Sequence, residues 1–224
     1  MPGGNTRTTV YFDPFPIYAD RALGCRMWDV DGNVYYDCIN NFASMIHGHG
    51  QPEMVSEVAA QLPFGTAYGA STVHEIELAE LLMERLPGNQ KVRFANSGTE
   101  AVMMAIKAAR AFTDRPKIVK IEGAYHGSYD FAEVSLDSNP ENWGNMPLST
   151  AYAKGTPQGV VDDVIAIAFN DEDAVRQVMQ AHGSEIAAVL VDPMPNRVWT
   201  RISPLWVKSS AAASPSGRLP GVTR

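Results

Sequence analysis

Apolar and polar residues over the first 90 positions follow patterns that predict one hairpin and two helices. Residues 24–37 contain two β-rich runs on either side of Asp31-Gly32-Asn33, which is a strong hairpin signal. A helix is expected over 52–62, since the proline at its start suits a first helical turn. Thr72-x-x-Glu75 has the spacing of a capping box, and apolar residues recur behind it at helical intervals, which predicts a helix over 73–86.

After position 90 the pattern changes to short apolar runs that alternate with helical periods. The predicted strands are 92–95, 117–121, 164–169 and 186–191, and the predicted helices are 98–112 and 171–181. Nearly continuous apolar strands that alternate with helices predict an α/β fold with a parallel sheet covered on both faces. Residues 163–191 form one predicted βαβ unit with a right-handed crossover. Residues 134–160 have no clear period and are expected to be a long excursion.

The distribution of charge changes near residue 194. The net charge is −7, and all 25 acidic residues precede Met194. An acidic body argues against nucleic acid as a partner, because phosphate neutralisation needs clustered Lys and Arg. Residues 203–224 are rich in Ser, Ala, Pro and Gly and are expected to be disordered. We therefore expect an N-terminal segment over 1–50, with the hairpin and a Gly-rich loop, a larger domain over 51–193, and an aberrant tail over 194–224.

Short apolar runs and few cysteines indicate where the protein resides. The longest aliphatic run, 186–191, is far from the ~20 residues that a membrane helix requires. The first ten residues contain no apolar stretch typical of a secretory signal. Cys25 and Cys38 provide no disulfide framework. The sequence therefore predicts a cytoplasmic protein without a membrane partner.

The sharpest candidate for a binding site is Asn96-Ser97-Gly98-Thr99-Glu100-Ala101, between a predicted strand and a predicted helix. Free N–H groups and the dipole at a helix start favour an anion. The glycine lets the backbone approach a ligand, and the hydroxyls of Ser97 and Thr99 add donors, which is typical of a phosphate cradle. The alternative is that Ser97-x-x-Glu100 is only a capping box. The segment by itself leaves both interpretations open.

A second candidate, residues 123–128, follows the predicted strand that ends at Ile121. Loops at the carboxyl ends of parallel strands are where α/β folds place ligands. Tyr125 offers an aromatic face for stacking, and His126 offers a proton donor or acceptor near neutral pH. The alternative is a tyrosine that fills an edge of the core and a solvated histidine.

Two further polar residues, Asn170 and Asp192, each lie just past the end of a predicted strand. Asn170 precedes three acidic residues and is interpreted as a helix N-cap. Asp192, before Pro193, is either a site carboxylate or a strand terminator. No metal site is predicted, because no Cys or carboxylate lies at a spacing that matches His47-x-His49.

Six stretches occur in the order and spacing of a known family. They are Trp28-Asp29-Val30-Asp31-Gly32, Gly48-His49-Gly50-Gln51-Pro52, Val92-Arg93-Phe94-Ala95-Asn96-Ser97-Gly98-Thr99-Glu100-Ala101, Ala105-Ile106-Lys107-Ala108-Ala109-Arg110, Tyr125-His126-Gly127 and Val191-Asp192-Pro193. Over roughly residues 18–200 the chain thus resembles the class III, pyridoxal-phosphate (PLP)-dependent aminotransferases. Within them it is most similar to the glutamate-1-semialdehyde 2,1-aminomutases and their relatives. A lone Ser-Gly-Thr-Glu is a weak signal, whereas this ordered set is specific.

The resemblance implies pyridoxal 5′-phosphate as cofactor and a binding role for each candidate. The candidates are Ser97, Gly98, Thr99, Tyr125, His126, Asn170 and Asp192. The first three would hold the phosphate at the helix start, the tyrosine would stack on the pyridine ring with the histidine beside it, and the asparagine would lie near the phenolic oxygen. The aspartate stands where the family more usually has a glutamate.

The implied fold is that of the fold type I PLP-dependent transferases. Residues 51–193 would form part of the large PLP-binding domain, with an incomplete, parallel-rich sheet, and the N-terminal segment would be a small α/β addition. Family members are usually homodimers with the site at the subunit interface, which makes a homodimer the expected assembly.

The implied function is transfer of an amino group on or between small amino-acid-like substrates, with a small-molecule amino donor or acceptor. The family also needs a lysine that forms a Schiff base with PLP and an aspartate against the pyridine nitrogen. No residue of this sequence matches either, since five lysines precede Asp192 and Lys208 follows it too soon. We therefore expect a C-terminally truncated, inactive chain whose reading frame changes, or whose gene is interrupted, near residues 194–205. The alternative is a non-catalytic remnant that binds PLP or phosphate weakly or acts only through subunit association.

Overall fold

The computed structural model describes residues 4–7, 11–86, 88–137 and 146–192. The chain divides into two compact units, Met1–Ile76 and Glu77–Arg224. The expected domain boundaries at residues 50 and 193 stay predictions, and the expected tail over 194–224 lies outside the described residues. Among the described helices, none has both the length and the apolar character needed to cross a membrane.

The first unit contains a three-stranded antiparallel sheet. Its strands are β1 (Ala19–Leu23), β2 (Arg26–Asp29) and β3 (Val34–Tyr36), in that spatial order. The predicted hairpin is confirmed as β2 and β3. The pattern does not predict β1, whose sequence ADRAL contains no β-branched or aromatic residue. This strand forms because β2 offers it a ladder partner.

The turn between β2 and β3 is organised by the carboxylate of Asp29. It accepts hydrogen bonds from the backbone N–H of Asp31 (3.0 Å) and of Asn33 (2.8 Å), and from the Tyr35 hydroxyl (2.8 Å). The side-chain amide of Asn33 also donates to it at 2.9 Å. These bonds, led by that amide, lower the pKa of Asp29 because they favour the ionised carboxylate. The hairpin is therefore closed by a side chain as well as by the backbone.

The Gly-rich loop over 47–51 is tied to the sheet at two places. Gly24 and His49 form an antiparallel bridge with both backbone hydrogen bonds, at 2.8 and 2.9 Å. His49 Nε2 lies 2.7 Å from Asp37 Oδ2. A Cβ at Gly48 would stand 2.9 Å from the Gly24 carbonyl oxygen, so this close approach needs glycine. His49 thus serves to anchor its own loop.

Helical segments complete this unit and lead into the next. They are α1 (Asn40–Ala43), which is a single left-handed turn with positive φ at all four residues, α2 (Pro52–Gln61), a 3₁₀ turn (Leu62–Phe64) and α3 (Val73–Arg85). The predicted capping box of α3 is confirmed, because Glu75 N–H donates to Thr72 Oγ1 (3.3 Å) and Thr72 N–H donates to the Glu75 carboxylate (3.0 Å). The two predicted helices are confirmed as α2 and α3. Neither contains a buried residue.

The second unit alternates helices with parallel strands. Its elements are α4 (Gly98–Thr113), β4 (Lys117–Ile121), α5 (Asp130–Glu133), α6 (Gln158–Asp162), β5 (Val164–Ile167), α7 (Glu172–His182) and β6 (Ile186–Leu190). The three strands form one sheet in the order β5-β4-β6, and both pairings are parallel. The predicted α/β class with a parallel sheet is confirmed.

The predicted βαβ unit is confirmed as β5–α7–β6, and β4 pairs with both of its strands and lies between them. The strand predicted over 92–95 is wrong: this described segment is irregular. An apolar run becomes a strand only when a ladder partner is available, and here Val92 and Phe94 stay exposed.

One cluster of the buried core lies on one face of β4, between the sheet and α7. Its buried members are Val119, Ile121, Ala124, Ile167, Val178 and Ile186. The outer edge of β5 is covered by an irregular segment through Ser149, whose hydroxyl donates to Val164 O (2.6 Å) and accepts from Ala166 N–H (3.2 Å). A serine hydroxyl therefore replaces the next strand on this edge and satisfies backbone groups that would otherwise be unpaired.

Candidate functional site

Three strands of the second unit end at the same edge of its sheet, because all three run parallel. The segments that follow β4, β5 and β6 contain Tyr125 and His126, Asn170, and Asp192 respectively. All seven predicted site residues belong to this unit.

The start of α4 combines a capped end with accessible backbone. Ser97 is the N-cap, and its hydroxyl accepts from Glu100 N–H at 3.2 Å, while the Glu100 carboxylate accepts from Asn96 N–H at 2.8 Å. The helical ladder begins with Ala101 N–H donating to Ser97 O (3.0 Å). The N–H groups of the first two helical residues therefore have no acceptor within the helix. A Cβ added at Gly98 would meet nothing within 4 Å, so space is open beside these donors.

The loop after β4 packs directly on this helix start. Ser128 N–H donates to Thr99 Oγ1 at 3.1 Å. The preceding residue, Gly127, is buried with φ +87°, and a Cβ there would stand 2.6 Å from Thr99 Oγ1 and 2.8 Å from Thr99 Cα. This contact brings Tyr125 and His126, which immediately precede Gly127, to the open end of α4.

Tyr125 and His126 differ in their surroundings. The Tyr125 side chain is 51% exposed, so its ring is accessible. His126 is partly buried, and its Nε2 atom is buried without a hydrogen-bond partner among the described residues. Burial and then the positive charge of Lys120 lower the pKa of His126 to about 4, while the carboxylate of Asp192 acts in the opposite direction. The imidazole is thus neutral at physiological pH.

Two charged residues near this edge are missed by the sequence analysis. Lys120, in the middle of the sheet, is fully buried, and its Nζ donates to Val134 O at 2.6 Å. Burial lowers the pKa of Lys120 to about 8, although Glu122 and Glu133 counteract it. Burial also raises the pKa of Glu122, and Lys120 opposes that rise. The sequence does contain a signal for the buried Lys120: a lysine inside the apolar run KIVKI of a strand that is buried on both faces has to be a buried charge.

Asn170 and Asp192 have different outcomes. The prediction that Asn170 is the N-cap of α7 is wrong: Asp171 is the cap, and its carboxylate accepts from Ala174 N–H at 2.9 Å. Asn170 is exposed one residue earlier, in the left-handed conformation (φ 59°) that asparagine tolerates. Asp192 is partly exposed, and its charge acts on His126. The described contacts join Thr99 to the loop of Tyr125 and His126, but none joins Asn170 to the other candidates.

Metal-ligand groups and concavities among the described residues do not involve the predicted site residues. No group of three or more His, Cys, Asp or Glu residues that could hold a metal ion occurs in the part of the chain that the structure describes. A concavity of about 390 Å³ lies against α2, and another of about 420 Å³ is lined by Arg110, Arg115 and Asp163 among others. Neither is lined by a candidate site residue.

The fold and the site define an α/β protein with an accessible helix start at the carboxyl edge of a parallel sheet. Residues 9–198 match the model of the family described as aminotransferase class-III, so this chain belongs to that family. The resemblance found in the sequence is thereby confirmed, and the cofactor that goes with the family is PLP.

The most similar relatives include both aminomutases and transaminases. Glutamate-1-semialdehyde 2,1-aminomutase of Symbiobacterium thermophilum is 44% identical over 179 residues, which cover 80% of this chain and 40% of the relative. The crystal structure of an omega-transaminase from Sphaerobacter thermophilus is 53% identical, with a TM-score of 0.84, over 88% of this chain and 45% of that chain. A transaminase with PLP bound is 47% identical, with a TM-score of 0.81, over 89% and 46%.

These relatives confirm the predicted fold type I architecture. They also show that this chain spans less than half the length of the proteins it matches.

Proposed function

We propose that the second unit binds PLP, with the phosphate at Ser97, Gly98 and Thr99 and the pyridine ring against Tyr125. The observation that carries this proposal is the contact of Gly127 with Thr99, because it joins a helix start to the loop that carries the exposed Tyr125. Backbone N–H groups and the helix dipole favour a phosphate dianion at such a position. When bound, PLP supplies an electron sink for chemistry at an amino-bearing carbon.

The residues present fit this cofactor. Open space beside Gly98 gives an anion access to the first N–H groups of α4. The Thr99 hydroxyl accepts from Ser128 N–H and keeps its own proton for a phosphate oxygen. His126 Nε2 is a buried polar atom in need of a partner. We propose that His126 lies beside the ring, that Asn170 lies near the phenolic oxygen, and that Asp192 completes the ring's surroundings.

NMR titration of the isotope-labelled chain tests this proposal. Pyridoxine 5′-phosphate is the probe, since it has no aldehyde and does not condense with surface lysines. We expect saturable shifts of the Gly98 and Thr99 amide signals and of the Tyr125 ring signals. Shifts confined to other parts of the chain, or a linear response without saturation, would contradict the proposal.

For the reaction we propose transfer of an amino group on or between small amino-acid-like substrates, as in the aminomutase and transaminase relatives. We also propose that the 224-residue chain alone does not turn over, because no lysine matches the family's Schiff-base position. The lysine closest in sequence to the loop of Tyr125 is Lys120, and its Nζ is bound to Val134 O. An assay with glutamate 1-semialdehyde and PLP should give no product; turnover above that of PLP alone would contradict this.

A second candidate function is a non-catalytic remnant that binds PLP or phosphate weakly or acts only through subunit association. The hydrogen bond from Lys120 Nζ to Val134 O favours it, because this lysine is already engaged. Reduction with borohydride in the presence of PLP tests whether this chain contains a Schiff-base lysine. Scattered or absent labelling supports the remnant, whereas stoichiometric labelling of a single lysine would contradict the absence of such a lysine and support a catalytic chain.

We further propose a cytoplasmic homodimer. Free Cys25 and Cys38 are consistent with a reducing compartment. The apolar residues of α2 and α3 are exposed, as on surfaces that a second subunit covers. Sedimentation of the purified chain should give a dimer, and a monomer at micromolar concentration would contradict it.

A further inference from the structure

We propose that Lys120 is a positioning residue for the candidate cofactor site, acting through the backbone of Val134 and Ser135 and through its charge. This inference rests on the proposed PLP site. The lysine acts on that site indirectly, because its ammonium group is buried and donates to Val134 O.

The first step is a backbone connection. Lys120 Nζ donates to Val134 O (2.6 Å), and the next carbonyl, that of Ser135, accepts from Gly123 N–H (2.8 Å). The segment 134–135 is therefore hydrogen-bonded both to Lys120, within β4, and to Gly123, just after the end of β4. Gly123 begins the turn that leads to Tyr125. Lys120 therefore holds in place the segment 134–135, to which that turn is hydrogen-bonded.

The supporting segment is itself buried and hydrogen-bonded. Ser135 is 1% exposed, has φ 55°, and its N–H donates to Thr150 O at 2.8 Å. Val134 is also 1% exposed. A strained, buried backbone persists only where its surroundings over-determine it, and Lys120 is one of the groups that do so.

The second step is electrostatic. The buried ammonium group interacts with the carboxylates of Glu122 and Glu133, and its positive charge disfavours protonation of His126, whereas Asp192 favours it. Removing this ammonium group alone would take a donor from Val134 O and a counter-charge from Glu122, which costs stability. Lysine supplies a donor to Val134 O and a positive charge that adds to burial in lowering the pKa of His126.

Replacement by an isosteric apolar residue tests this role. Lys120→Met removes the donor and the charge, and Lys117→Met is a matched control. Lys117 lies on the same strand and also donates to a backbone carbonyl, Asp162 O at 3.0 Å, but at the amino end of the sheet.

The two readouts are the pKa of His126, from the pH dependence of its ring NMR signals, and the affinity for pyridoxine 5′-phosphate. In Lys120→Met we expect that pKa to rise by roughly one from about 4, and the affinity to fall about tenfold. Lys117→Met should change neither. A folded Lys120→Met chain in which both quantities match the wild type would overturn the proposal.

A measurement on the wild type covers the case in which Lys120→Met does not fold. The His126 ring signals should show a second inflection near pH 8, where Lys120 loses its proton. A flat response there would overturn the electrostatic role. Should the wild type fail to bind the probe while this inflection is present, the PLP proposal fails and the link between Lys120 and His126 stands.

Discussion

Gly127 approaches Thr99 so closely that a Cβ on the glycine would lie 2.8 Å from Thr99 Cα. The contact joins the loop after the central strand to the first turn of α4. It brings together a Tyr-His-Gly sequence and a Ser-Gly-Thr sequence that are well separated along the chain, as the proposed site requires. No side chain larger than hydrogen fits between them without moving one backbone.

Gly127→Ala should therefore disrupt both the fold and the site. The added methyl group meets backbone at a residue with φ +87°, and we expect the free energy of unfolding to fall by about 2–4 kcal/mol. Urea denaturation measures this loss. Gly155→Ala is the control, since it has a similar φ of +92° but nothing within 4 Å of the new Cβ. If the two variants lose equal stability, backbone conformation alone accounts for the effect and the contact is unimportant.

Gly98→Ala separates binding from folding. The new methyl group enters open space at the first turn of α4, so stability should stay the same or rise by up to about 1 kcal/mol. The same methyl group occupies the space through which an anion reaches the helix N–H groups. We expect affinity for pyridoxine 5′-phosphate to fall about tenfold or more.

The control for that variant is Gly159→Ala, because Gly159 is also helical, in α6, with open space around a new Cβ. It should bind the probe as the wild type does. Equal affinity of both variants would place the phosphate elsewhere.

His126 should make stability dependent on pH below neutrality. Its pKa in the folded chain is about 4, below the ordinary value of 6.5 expected when unfolded. The unfolded chain therefore binds more protons between these values, so stability is present above pH 6.5 and is lost as pH falls towards 4. After allowance for the partial exposure of the ring, we expect a loss on the order of 1–2 kcal/mol. Urea midpoints of the wild type should fall more steeply with acid than those of His126→Gln, and parallel curves would contradict the assignment.

The local elements of this fold could be predicted from the sequence because their signals are local. Capping boxes, helical apolar periods and the Asp-Gly-Asn turn each act within a few residues, and α3, α4 and the hairpin occur as expected. Strand order could not be predicted, since apolar periodicity does not encode which strands pair. The position of β4 between β5 and β6, for example, has no counterpart in the apolar pattern.

The site shows the same division between local and non-local signals. The strand ends locate Tyr125, His126 and Asp192 at one edge, which follows from a parallel sheet alone. The choice of Asp171 over Asn170 as helix cap could not be predicted, because both residue types cap well and asparagine also tolerates positive φ. The partnership of Lys120 with Val134 depends on tertiary packing and has no local pattern.

The most direct test compares the affinity of the wild-type chain for pyridoxine 5′-phosphate and for pyridoxine, which differ only in the phosphate group. Isothermal titration calorimetry should give a phosphate ester that binds at least about tenfold more tightly, because the helix start adds charge-assisted hydrogen bonds. Equal affinities for the two compounds would show that the opening turn of α4 does not hold a phosphate.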